Sequence, residues 1–175
     1  MGMVHNTKLV QYTFLLSVAL AICEEALAQH RLSIALSHTL VPTAVNSAGN
    51  RSWFTLPSWG IDYDYELAEN WGVGLHTDWV VQDFKYESNE ITRDRTKPLT
   101  STIVVSRKLN EHLTLLGGGG AEFAKAEETL AVIRLGIDYS LPLANNWECA
   151  FNIMFDYKPN AYNAIPMGVG LAKKF

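Results

Sequence analysis

The sequence predicts an all-β protein: an eight-stranded antiparallel up-and-down transmembrane β-barrel, preceded by a cleaved signal peptide. Three observations carry this. Apolar and aromatic residues recur at every second position through most of the chain. The face between them is built from Gly, Ala, Ser and carboxylates with few Lys, which suits a crowded polar barrel interior better than the solvated face of a sandwich. Short and longer connections alternate along the chain, as they do when one rim of a barrel carries turns and the other loops.

Composition narrows the alternatives. Hydrophobic residues make up 48% and charged residues 18% of the 175, too much apolar mass for a disordered chain. Mean hydropathy is close to zero, too low for a helical membrane protein but normal for strands that are apolar on alternate residues only. The formal net charge of -4 argues against a nucleic-acid partner.

The N-terminus reads as an address. The apolar run Tyr12 to Ile22 is about eleven residues long, short of the ~20 that a membrane helix needs, and it fits the core of a secretory signal. Ala26-Leu27-Ala28 offers small residues where a signal peptidase reads, so cleavage is expected after Ala28. A lipoprotein signal ending at Cys23 is disfavoured by the bulk of Ile22. The expected division is a signal peptide over 1–28 and a barrel over 29–175, in which Cys149 is the single cysteine and no internal disulfide can form.

The strands follow in order. The first runs from Arg31 to Val41. In the second, Trp59 to Leu67, odd positions are apolar or aromatic and even ones are Gly or acidic. After a turn at Ala68-Glu69-Asn70, the third puts Trp71, Val73, Leu75, Thr77 and Trp79 on one face and Gly72, Gly74, His76 and Asp78 on the other. Centring that turn near Glu69 sets Asp62 opposite His76 and Asp64 opposite Gly74. The stretch from Val81 to Lys97 carries mixed charge and is expected to be a solvated outer loop. The fourth and fifth strands, Leu99 to Leu109 and Leu113 to Phe123, flank a short turn at Asn110-Glu111-His112. The sixth, seventh and eighth cover Val132 to Leu141, Trp147 to Tyr157 and Ile165 to Phe175. Gly117 to Gly120 invites a phosphate-loop reading, but no Lys-Ser/Thr follows, and a close-packed strand is expected instead.

Parity assigns Asp62, Asp64, Glu66, Asp78, Glu122, Asp138, Glu148 and Asp156 to the lumen, with Arg134, Lys108, Lys174 and His76 as the basic groups. Buried charges need partners, so a lumen network of Asp62, His76, Arg134, Asp138 and Glu148 is expected, with Arg134 bridging Asp138, Glu122 or Glu148. His38, His76, Asp78 and Glu122 are the catalytic candidates, because imidazole beside carboxylates can act as a general base. His38 shares parity with Leu36 and Leu40, which points it towards lipid unless a bulge intervenes. No cofactor and no resident metal are expected.

The leader, the eight strands and the terminal Phe175 together resemble the small bacterial outer-membrane barrels of the OmpA/OmpX type. More loosely, Ser37-His38-Thr39, Leu56-Pro57-Ser58-Trp59, Gly74-Leu75-His76, the run from Gly120 to Lys125 and Gly168-Val169-Gly170 are similar to segments of an uncharacterised group of barrels from Bacteroidetes-like bacteria. The resemblance implies a monomer in the outer membrane, with membrane lipid and the barrel-assembly machinery, engaged through Phe175, as partners. The function expected is a structural or surface-interaction role around a packed acidic lumen. The alternatives are a lipid A-modifying hydrolase using His38 or His76 and a narrow cation-selective channel.

Overall fold

The computed structural model describes residues 30–175; the expected leader, 1–28, lies outside them. Ten strands follow one another: β1 (His30–Val45), β2 (Arg51–Ala68), β3 (Trp71–Val80), β4 (Phe84–Ser88), β5 (Ile91–Arg95), β6 (Leu99–Lys108), β7 (Leu113–Phe123), β8 (Leu130–Pro142), β9 (Trp147–Tyr157) and β10 (Ile165–Lys174).

Alternation along β1 sets the plan. Leu32, Ile34, Leu36 and His38 are exposed on one side, while Ser33, Ala35, Ser37 and Thr39 are buried on the other. Repeated through β2, β3 and β6 to β10, this pattern gives a wall with one polar and one apolar face. Each of these eight strands pairs antiparallel with its neighbours, and β10 returns to β1, from Arg31 opposite Lys174 to Leu40 opposite Ile165. Closure leaves no edge in the wall, the condition for backbone surrounded by lipid. Asp62 lies opposite His76 and Asp64 opposite Gly74, the register that the turn at Glu69 predicts.

Outside, Ile61, Leu75, Ile103, Val105, Ile133, Leu135, Ile153, Val169 and Leu171 form an exposed apolar belt. Aromatic rings border it. Trp59 and Trp79 meet edge to face at 5.5 Å towards the long-loop end. Towards the short-turn end, Arg107 and Lys173 lie over the rings of Trp71 and Trp147 at 5.3 and 5.4 Å, as long cationic side chains do at a membrane margin.

The turns follow from local chemistry. The Asn110 side chain accepts the backbone N–H groups of His112 and Leu113 at 2.9 and 2.8 Å. Asn145 and Asn146 take the left-handed backbone (φ 58° and 60°) that the turn before β9 requires.

Within the glycine run, the two lumen-side positions permit a very close approach of strands. A Cβ on Gly118 would fall 2.0 Å from the carbonyl oxygen of Ile103, and one on Gly120 would fall 2.0 Å from that of Ser101.

Two features depart from the sequence reading, both at the long-loop end. β1 and β2 continue past Val41 and before Trp59, with a bulge between Val41 and Ala44, so the loop expected over Pro42 to Ser52 is largely a protruding hairpin. The stretch from Val81 to Lys97, expected as a solvated loop, contains the β4–β5 hairpin, which folds over the barrel mouth. Phe84 and Tyr86 of β4 are buried with Val41, Ala44, Leu56, Val80, Leu130, Tyr162 and Ala164 in the largest apolar core of the described residues. Burying these rings offsets the cost of ordering a charged segment.

Candidate functional site: the lumen and its outer cap

Side chains fill the barrel in three tiers. At the short-turn end, Arg31 on β1 is held by three carboxylates, Asp64 at 3.1 Å and Asp138 and Glu148 at 3.0 Å each. Lys174 pairs with Glu148 and Lys108 with Glu66, both at 2.6 Å. A cavity of about 60 Å³ lies among Arg31, Asp64, His76, Asp138, Glu148 and Lys174, room for a few waters.

In the middle tier, His76 Nε2 lies 2.9 Å from Asp64 and Nδ1 lies 3.8 Å from Asp62, whose other oxygen accepts the Ser33 hydroxyl. Arg134, 1% exposed, reaches Asp156 at 2.7 and 2.8 Å and Asp78 at 2.6 Å. Val104, Leu116 and Met154 form an apolar cluster beside Gly136, on β6 and on the two strands that flank β8. Arg134 lies opposite Gly118 in the register. Its partners differ from the expected Asp138, Glu122 and Glu148: Asp156 is its direct register partner on β9, and the slant of the strands brings Asp78 of β3 to its level across the lumen.

The third tier closes the mouth. The Glu122 carboxylate, at the outer end of β7, accepts from Arg95 Nε at 2.8 Å and from the Tyr162 hydroxyl at 2.7 and 2.8 Å. Lys158 lies 3.1 Å away and Thr100 Oγ1 donates at 3.2 Å. All four side chains around this carboxylate are buried. Arg95 also donates to the Glu128 carbonyl at 2.7 Å, joining the loop after β7. Burial opposes the Arg95 charge, but the adjoining Glu122 outweighs it and holds the guanidinium above its ordinary value. Burial, followed by the Glu122 charge, pushes the Tyr162 phenol well above its usual range. The cavity left beneath is about 10 Å³, no more than one water.

The four catalytic candidates thus go to four settings. His38 is exposed on the outer face beside Leu36, opposite Pro57 and Met167, and the bulge lies beyond it. His76 sits between Asp62 and Asp64, Asp78 serves Arg134, and Glu122 belongs to the cap. His38 and His76 therefore share no site. Ser37 faces inward and His38 outward. Among the described residues, no group of three or more His, Cys, Asp or Glu is arranged to hold a metal ion.

The sequence reading missed Arg31, Arg95, Lys158 and Tyr162. Arg31 carried a usable signal, since it shares the parity of Ser33 and Ser37. Lys158 likewise continues the parity of Glu148 and Asp156 one step past the strand, whereas Arg95 and Tyr162 lie in segments without period, where no face can be assigned.

A closed eight-stranded wall with an apolar belt, ringed by aromatics and filled with paired charges, defines a bacterial outer-membrane β-barrel, whose place is the outer membrane. The termini and short turns then mark the periplasmic rim and the cap the external one. Among solved structures, the chain is similar to Ail, the attachment invasion locus protein of Yersinia pestis, in complex with the heparin analogue sucrose octasulfate. That likeness has a TM-score of 0.59 and 18% identity, over 85% of this chain and 100% of that one. It is also similar to OprG of Pseudomonas aeruginosa (TM-score 0.57, 12% identity, 85% and 96% covered) and to Neisserial surface protein A (TM-score 0.50, 12% identity, 83% and 97% covered). These likenesses show the fold. No protein-family model and no curated protein matches the sequence.

Proposed function

We propose that the protein is a surface-interaction barrel: the wall anchors it, the lumen is a structural plug, and the protruding hairpins meet the partner. The sealed outer mouth carries this reading, since a cap secured by a fully enclosed carboxylate leaves no standing path for solutes. The external hairpins supply a contact surface. Trp53 lies six residues outward from Trp59 of the aromatic border, about 20 Å along the strand, and is 67% exposed. Ile91, at the tip of the β4–β5 hairpin, is 56% exposed. Exposed apolar side chains beyond the lipid suit a protein partner.

Ail binds a polysulfated ligand, but the outer face here favours a different class. Arg51 pairs with Glu87 at 2.9 Å, Lys85 with Asp94 at 3.4 Å and Arg93 with Glu128 at 3.3 Å. Three of its basic groups are thus neutralised in place, which does not favour a polyanion. The lipid-modifying alternative, using His38 or His76, is less favoured: His38 faces outward and His76 is held between Asp62 and Asp64.

The reading has two tests. Purified protein in planar bilayers is expected to stay silent at high salt; steady unit conductance would overturn the plugged lumen. Cells displaying the protein are expected to lose adhesion to partner cells when Trp53→Ala and Ile91→Ser are combined, with the barrel still folded. Unchanged adhesion would refute the hairpins as the contact surface.

A further inference from the structure

We infer that the outer cap is a lid and that the Glu122 carboxylate is its latch, an internal ligand seated in a carboxylate-binding cradle whose vacancy opens the barrel mouth. This goes beyond the surface-interaction reading, which requires only that the mouth be closed.

The argument starts from how weakly the cap is joined to the wall by backbone. Neighbouring wall strands share long ladders, such as the ten register pairs between β1 and β10. The β4–β5 hairpin shares one pair with the wall, Ala44 with Tyr86. Its position therefore rests mainly on side chains: the apolar core and the charges around Glu122, with smaller ties from Ser88 to the Asn160 carbonyl and from the exposed pairs Arg51–Glu87 and Arg93–Glu128.

Those charges come from separate chain segments. Arg95 belongs to the hairpin, Lys158 and Tyr162 to the loop between β9 and β10, and Thr100 and Glu122 to the wall. One carboxylate thus ties two external segments to the barrel. Two cations and two hydroxyl donors around a single carboxylate form a complete recognition site for that group. Tyr162 also stacks near Tyr86 at 4.7 Å and Phe84 at 5.3 Å, so the latch and the apolar core move as one unit. Remove the carboxylate and buried Lys158 loses its counter-charge, while buried Arg95 keeps only Glu127 at 3.4 Å. Hydrating them outweighs the apolar contacts that keep the hairpin down.

The cradle view makes a chemical prediction: a small free carboxylate can replace the missing side chain. The reporter is Ala44→Cys in a background with both native cysteines replaced, Cys23→Ala and Cys149→Ala, since Ala44 is fully buried under the hairpin. Labelling by a charged maleimide is followed on refolded protein whose barrel is verified by heat-shifted gel migration. Adding Glu122→Ala is expected to accelerate labelling by at least about tenfold. Sodium formate should slow it again, whereas sodium chloride at the same ionic strength should not. Labelling at the parent rate, or acceleration on which formate and chloride act alike, would overturn the latch. Where Glu122→Ala gives no folded band, Tyr162→Phe replaces it, because both cations then stay paired. Several-fold faster labelling supports the latch, and an unchanged rate rejects it. Conductance by the unaltered protein counts against the plugged lumen alone, so the two ideas fail separately.

Discussion

Arg134 and Asp156 form a bidentate ion pair in the middle of the lumen, with Nε to Oδ1 at 2.7 Å and Nη2 to Oδ2 at 2.8 Å. Both side chains are almost fully buried, and Asp78 completes the neutralisation of Arg134. Arg134→Met leaves two carboxylates in a dry interior, so a stability loss of about 3–5 kcal/mol is expected. Urea unfolding in micelles, followed by tryptophan fluorescence, measures it. Adding Asp156→Asn should recover part of the loss, and a double mutant without recovery would deny the coupling.

Arg31 does similar work in a wetter place. It separates Asp64, Asp138 and Glu148 beside a cavity at the periplasmic rim. Arg31→Met brings their charges into repulsion, but salt can screen them. The expected loss is about 1–3 kcal/mol at low salt and distinctly less near 1 M. The loss at Arg134 should be nearly independent of salt, and equal salt responses at the two sites would contradict the tiered lumen.

The glycine run yields a prediction by parity. Gly118→Ala and Gly120→Ala each drive a Cβ to within 2.0 Å of a neighbouring backbone carbonyl oxygen. Neither strand can yield without breaking the ladder, so each should lower stability by about 1–3 kcal/mol or more and reduce the heat-shifted fraction. Gly117→Ala meets only the end of Leu135 at 3.2 Å, and Gly119→Ala meets the Val132 carbonyl at 3.4 Å. These two should assemble normally, and failure of all four alike would rule out the close approach as the cause.

Alkali should loosen the cap through Tyr162. Burial and the Glu122 charge raise its pKa in the folded protein, whereas in an unfolded chain it titrates at about 10. Below that pH both states hold the proton and the stabilisation is complete. Above it the unfolded state releases the proton first, so stability falls until the raised folded pKa is passed. Arg95 opposes the shift from the same cluster without cancelling it, and the Lys158 ammonium lies over the ring at 4.2 Å. The melting temperature is expected to fall less steeply above pH about 10 in Tyr162→Phe than in the unaltered protein, and a late component of tyrosinate absorbance should disappear. Parallel curves would show that the phenol is not shielded.

The wall was legible because its rules are local. Period two assigns a face to each residue from Trp59 to Leu67 and along β9. A turn centred at Glu69 sets Asp62 opposite His76, although the structure shortens that turn to Glu69-Asn70 with a bulge before Ala68. What cannot be read this way is the partner across the lumen. Asp78, three strands from β8 around the wall, meets Arg134 because the whole barrel is sheared, a property of closure that no single strand encodes, whereas Asp156 is the direct register partner of Arg134 on β9. Arg95 was hidden for another reason. The hairpin carrying it is too short and too charged to announce itself, and only the rings of Phe84 and Tyr86 hint that the segment folds back.

One pairing decides how freely this protein can change. β3 and β6 bond directly, from Trp79 opposite Leu99 downward, so the hydrogen-bonded circuit of the wall closes without the segment between them. That segment is a cassette. Insertions at its Asn89-Glu90 tip leave the ladder of the staves unaltered, whereas deleting the whole segment would strip Arg95 from Glu122 and Phe84 and Tyr86 from the apolar core.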